Sequence, residues 1–225
     1  MFGELIAAYL FLAGTGAGGI AVASLADLLA VRAPFGEGAP PSVAEASPAE
    51  RLAAFTLAAS WGALALGTAC LAADLGRIDR VLALFLAPAP TLMNLGAWAL
   101  AALIAVGGAL VLVRFLYLPQ VTRRVVVVGE VVAVALAAVV AVYAGLLLQM
   151  LPGVRLWASP AVPVLFVLSA ASCGCAVVVG AALFVENDGE VGRLVRRVLA
   201  VDIVVIVAEM AVAAWFLGAA LASDH

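Results

Sequence analysis

The sequence contains no lysine: all 11 of its basic residues are arginines. Charged residues of either sign make up only 11% of its 225 positions, where a soluble domain carries roughly a quarter. So few charges cannot cover a globular surface, which excludes a soluble enzyme, a nucleic-acid binder and a disordered chain. The one histidine is the final residue, His225, so no internal imidazole is available as an axial ligand to a membrane b-type haem. The three cysteines (Cys70, Cys173, Cys175) all sit in apolar runs, which argues against a disulfide framework. The net charge of −3 points to no bulk partner.

What is abundant is apolar. Hydrophobic residues account for 67% of the chain and the mean hydropathy is +1.26. A spanning helix needs about 20 apolar residues, and six runs qualify, at about 4–31, 52–74, 90–113, 124–148, 161–185 and 197–221. Runs of this length are expected to be helices, because unpaired backbone groups cannot face lipid, and a β-barrel would show short alternating segments instead. The loop at 32–51 is rich in Pro, Gly, Ser and Glu. Within it, Ser47-Pro48-Ala49-Glu50 has the form of a helix start, with Ser as N-cap, Pro at the first position and Glu at the third, so the second helix should begin a turn before its apolar run.

Charge asymmetry sets an expected orientation. The connections after spans 1, 3 and 5 carry Arg32, Arg51, Arg114, Arg123, Arg124, Arg193, Arg196 and Arg197, against Arg77, Arg80 and Arg155 on the other side. Eight against three puts loop 32–51 in the cytoplasm and both termini outside. The N-terminus has no basic region and carries Glu4, so it is expected to remain as span 1 and not to be a cleaved signal. An arginine-only basic set with abundant Ala, Val, Leu and Gly fits a GC-rich bacterial coding sequence, hence a bacterial inner membrane.

Two motifs invite cofactor readings and support neither. Gly14-Thr15-Gly16-Ala17-Gly18-Gly19 formally matches a dinucleotide fingerprint, but that motif has meaning only between a strand and a helix. In mid-span, small residues at this spacing are expected to bring helices close together, or to leave room for a flat ligand. Cys173 and Cys175 point about 200° apart on a helix, with no His or further Cys nearby in sequence, so no metal site is expected there.

The intramembrane ionisable groups carry more information, because such groups are costly and mark functional sites. Asp27, Glu130 and Asp202 fall within roughly 10 Å of the cytoplasmic boundary at 1.5 Å per residue; Glu209 lies near mid-membrane. They are candidates for proton transfer, the competing reading being that the first three reach the interface or pair with loop arginines. A second group gathers at the outer face: Asp74 and Arg77 after span 2, Asn94 and Trp98 early in span 3, Tyr143 and Gln149 late in span 4, and Trp157 beyond it. Aromatic residues at that depth commonly anchor the interface. Asp, Arg, Asn and Tyr converging there also make a polar mouth on an apolar pocket, which suits a quinone with two carbonyl oxygens in need of donors.

These residues resemble a known family, the NrfD-like membrane subunits of polysulfide reductase and dimethyl sulfoxide reductase. The similar segments are Tyr9–Gly18 in span 1, Asp74-Leu75-Gly76-Arg77-Ile78-Asp79-Arg80, Leu92–Trp98, Tyr143–Leu147 and Pro160–Ser169, with Ile78 standing where the family commonly has Pro. The resemblance implies an anchor without a redox metal of its own. Such subunits exchange electrons between menaquinone, or another quinone, and an iron–sulfur subunit docked on the outer face, and through it with a molybdopterin catalytic subunit, as in anaerobic respiration. It also implies eight or more spans; six would make this a shortened bundle, without the residues or proton path of the last helix pair.

The expectation is therefore an all-α integral membrane protein, a six-transmembrane-helix bundle forming one domain over residues 1–225. Asp74, Arg77, Asn94, Trp98 and Tyr143 are the expected quinone-site residues, and Glu209, Asp202, Glu130 and Asp27 the proton-transfer candidates. The competing function is a proton-coupled small-solute transporter, which Glu209 and the glycine-rich first span would fit. Against it stands the lack of an internal repeat or of paired broken helices.

Overall fold

The computed structural model describes residues 4–30, 46–75, 91–116, 121–150, 159–186 and 189–223. These form six helices: α1 (Glu4–Ala30), α2 (Pro48–Leu75), α3 (Leu92–Phe115), α4 (Arg123–Gln149), α5 (Ala161–Ala182) and α6 (Gly189–Ser223). Each contains a stretch long and apolar enough to cross a membrane, and no strand occurs among the described residues. The protein is a multi-pass membrane bundle. Most of loop 32–51 lies outside the described residues.

Helix starts follow local chemistry. At α2 the Ser47 N–H and hydroxyl donate to Glu50 Oε2 at 2.9 and 3.0 Å, and the Glu50 N–H donates back to Ser47 Oγ at 3.4 Å. This reciprocal cap satisfies two orphan amides and starts the helix at Pro48, ahead of the apolar run. At α3, Thr91 Oγ1 accepts from the Asn94 N–H at 3.3 Å. The largest departure from the sequence reading is α6. It begins at Gly189, eight residues before its apolar run, so Arg193, Arg196 and Arg197 lie on helix and not in a connection. The apolar run marks only what can enter lipid; arginine, leucine and valine continue the helix beyond it at little cost.

In lipid, helices gain little from hiding apolar surface from one another, so association depends on close packing. α1 is the centre of that packing and touches α2, α4 and α5. Its buried face includes Tyr9, Ala13, Ala17, Ile20 and Ala23. At Gly16 a Cβ would stand 2.7 Å from the Ser60 carbonyl oxygen of α2, and at Gly18 a Cβ would overlap the Ala170 carbonyl of α5. The glycines thus press α1 against two neighbours at once, and the space a flat ligand would need is filled by backbone. α2 presents its hydroxyls to this contact with their hydrogens already used: Thr56 donates to Leu52 O at 2.8 Å and Ser60 to Thr56 O at 2.7 Å.

α2 and α3 run antiparallel. Phe55 meets Phe115 edge to face at 6.2 Å, and Trp61 lies over Gly107 and Gly108 and donates its indole N–H to Ile104 O at 2.9 Å. That register carries Asp74 toward the first turn of α3. α6 is peripheral, packed on α5 and more lightly on α2. Val201, Ile203, Val204, Val207 and Met210 are exposed along it, as a lipid-facing helix requires.

Gly18→Val should force α1 away from α5, an overpacking cost of about 1–3 kcal/mol or more, and should lower the melting temperature in detergent. Gly62, with nothing within 4 Å of a built Cβ, should accept Ala with a change below about 1 kcal/mol.

Candidate functional site

The bundle has two chemically distinct ends. At one, Asp27 near the end of α1, Arg114 in the last turn of α3, and Arg123 and Glu130 early in α4 converge. Arg114 Nη2 donates to Asp27 Oδ2 and to Glu130 Oε1, both at 2.5 Å, and Arg123 Nη2 reaches Asp27 Oδ2 at 3.4 Å. Both carboxylates therefore meet on a single guanidinium nitrogen. The side chains of Arg114 and Asp27 are each 7% exposed and that of Glu130 only 3%. Two negative and two positive charges balance, as burial demands, and the position of Arg114 at a helix C-terminus also suits the helix dipole. The satisfaction is incomplete: Arg114 Nε, Glu130 Oε2 and the hydroxyl of Ser24, one turn before Asp27, have no hydrogen-bond partner among the described residues.

At the other end the phenol ring of Tyr143 on α4 lies in a cradle made by Gly96 of α3, where any Cβ would occupy the ring's place. Tyr143 is buried, and so is Tyr9 of α1, which lies within electrostatic reach of it. Asn94, two residues before Gly96, is half-buried, while Trp98 is 57% exposed and Asp74 is exposed at the end of α2. Arg77 and Trp157 lie outside the described residues. The hydroxyls of two buried tyrosines at this end are donors of the kind a carbonyl oxygen accepts from.

The family model described as polysulphide reductase, NrfD, matches residues 1–225. The chain belongs to the NrfD family. No curated protein and no solved structure matches it.

In this NrfD-family chain the four intramembrane carboxylates do not form one cluster. Asp27 and Glu130 share Arg114, whereas Asp202 on α6 accepts from the Ser172 hydroxyl of α5 at 2.7 Å, and Glu209 is half-buried farther along α6. Among the described residues no group of three or more His, Cys, Asp or Glu side chains is placed to hold a metal ion; Cys175 is buried against Val178 and Val198 as a small hydrophobe.

Two residues of these sites escape a reading from sequence. Arg114 reads as a connection arginine that fixes orientation, yet it is buried and organises the charge cluster. The available signal is depth, since it ends span 3 level with Asp27 and Glu130. Tyr9 belongs to a family-like segment, and its signal is that it lies as far into span 1 as Tyr143 lies from the end of span 4.

Arg114→Leu should leave Glu130 without its cation and Asp27 with Arg123 alone, and destabilise the bundle by about 3–5 kcal/mol, read from denaturant unfolding in micelles. Combining it with Asp27→Asn and Glu130→Gln should recover most of the loss, because the charges then vanish together.

Proposed function

We infer that this chain, a member of the NrfD family, is a membrane subunit of the polysulfide-reductase type of oxidoreductase. We propose that its Tyr143 end faces outside a bacterial inner membrane and binds menaquinone or another quinone. It would exchange electrons there between the quinone pool and an iron–sulfur subunit docked on that face, and through it with a molybdopterin catalytic subunit. The observation that carries this reading is the pair of buried tyrosines, Tyr9 and Tyr143, within electrostatic reach of each other at one end of the bundle. The orientation is supported by arginines: Arg51, Arg124, Arg193, Arg196 and Arg197 lie at the opposite end, and basic residues favour the cytoplasmic side.

When bound, a quinone supplies two-electron, two-proton exchange with its quinol. The chain's part is to hold and orient. Tyr143, fixed by Gly96, donates a hydrogen bond toward a carbonyl oxygen. Tyr9 closes the same wall from α1. Arg77 and Asn94 are the further donors of the proposed site, Trp98 its outer rim, and Asp74, exposed to water, a proton acceptor at the mouth. In the complex, Tyr143→Phe should lower quinol-dependent kcat/KM about three- to tenfold, the worth of one neutral hydrogen bond. Arg77→Ala should cost about ten- to a hundredfold, as expected for a charged donor. Unchanged kinetics in both variants would remove the assignment.

Asp27, Glu130, Asp202 and Glu209 are proposed as proton-transfer groups toward the cytoplasmic side. Support comes from the unpartnered Glu130 Oε2 beside Arg114 and from the seven-residue spacing of Asp202 and Glu209, which sets both on one face of α6. The complex reconstituted in liposomes should change lumenal pH during turnover, and Glu209→Gln should abolish that change. No pH change with the unaltered complex ends the proposal.

A further inference from the structure

At the Asp27 end, α1, α5 and α6 leave a groove of about 250 Å³ between them. Eight of its nine lining residues are apolar, among them Val22, Leu25 and Ala26 of α1 and Leu194 and Val198 of α6; the ninth is Arg197. Leu25 is 44% exposed, so the groove opens to the outside of the bundle at the depth where apolar core gives way to charge.

Arg197 does not stand alone. Arg196 and Arg197 follow Arg193 by three and four residues, so each is a surface neighbour of Arg193 on α6. All are exposed, and none makes an ion pair with a described carboxylate; Arg196 Nε is turned back to Gly192 O at 3.2 Å. The nearest acidic groups do not cancel this charge. Asp27, next to Ala26 in sequence, is held by Arg114 and Arg123, and Asp202 is held by Ser172. Glu190 is exposed in the first turn of α6, before these arginines.

An apolar slot running into the membrane beneath uncompensated arginines matches one class of membrane molecule. We infer that the groove binds an anionic phospholipid, its acyl chain lying along Val22, Leu25, Leu194 and Val198 and its phosphate engaged by Arg197 with Arg193 and Arg196. Basic pockets between membrane helices on the cytoplasmic side take such headgroups, and the guanidinium fork suits a phosphate in a way an ammonium does not. The lipid would fill the gap that peripheral α6 leaves against α1, tying it to the bundle. Nothing in this depends on what occupies the Tyr143 end.

Native mass spectrometry of the full chain in a neutral detergent, with dioleoyl phosphatidylglycerol and dioleoyl phosphatidylcholine offered together, tests it. The two probes share acyl chains and differ in headgroup charge. Phosphatidylglycerol should be retained in preference by about fivefold for each arginine engaged. Replacing Arg193, Arg196 and Arg197 together with Gln, all at exposed positions, should bring the preference close to one. Ala26→Phe, which fills the groove, should reduce retention of both lipids. Equal retention by the unaltered chain, or an unchanged preference in the triple variant, overturns the proposal. So does lipid retention that Ala26→Phe leaves untouched, since the lipid then sits elsewhere. Displacement of the lipid by a short-chain naphthoquinone, or a lipid-free dimer covering the groove, would assign it to another occupant and overturn the proposal as well.

Discussion

The backbone contact of α1 with α2 and α5 is the constraint on which the rest of the structure depends. Helices in lipid cannot rely on water to drive them together, so their association rests on how closely they approach. Gly16 and Gly18 remove the Cβ atoms that would hold α1 off its neighbours on two sides. With α1 fixed between them, Tyr9 is delivered to one end of the bundle and Asp27 to the other. Both chemical centres are therefore consequences of a packing solution made mid-membrane by residues with no chemistry of their own.

The two ends handle polarity in opposite ways. At the Asp27 end four charges are gathered and balanced, so that burial is tolerated and α1, α3 and α4 are locked in register by one guanidinium. At the Tyr143 end the two buried tyrosines, Tyr9 and Tyr143, are neutral phenols. A balanced ion cluster resists rearrangement, because loss of any member strands a charge. The phenols beside the glycine cradle offer neutral hydroxyl donors, the kind of group the proposed quinone would need.

Much of this architecture was legible in the residues themselves. Lipid permits only helices for long apolar runs, so six runs became six helices, and Ser47-Pro48-Ala49-Glu50 set the start of α2 because a capping box is a local device. The start of α6 was not legible in the same way: hydropathy reports where lipid ends, and a helix that continues into water leaves no apolar trace. The pairing of Asp27 and Glu130 with arginines was readable as one of two options, but not that Arg114 would be the shared partner. That depends on the rotation of α3 about its axis, which packing decides. For the same reason Trp98, at a depth that suited the outer cluster, is turned outward, while Gly96 two residues earlier faces Tyr143.

The spacing along α1 also bears on how protons could move. Tyr9 and Asp27 are eighteen residues apart, about 27 Å along the helix axis, close to the full hydrocarbon thickness. Between them the polar side chains of α1 are Thr15 and Ser24, and the stretch separating those two is the glycine and alanine segment pressed against α2 and α5. The facing hydroxyls of Thr56 and Ser60 have their hydrogens committed to their own helix. Among the described residues the α1 interface thus offers no continuous chain of donors and acceptors. Polar groups within the apolar part of the bundle recur instead where α5 meets α6: Ser172 with Asp202, and Glu209 about 10 Å farther along the axis. A proton path joining the two ends would have to use that peripheral interface and the water that reaches it. A quinone held at the Tyr143 end, as proposed, would by contrast lie at the bundle end where Asp74 is exposed. Proton exchange with the outer face needs no path at all, so any path through α6 must be justified by coupling and not by access.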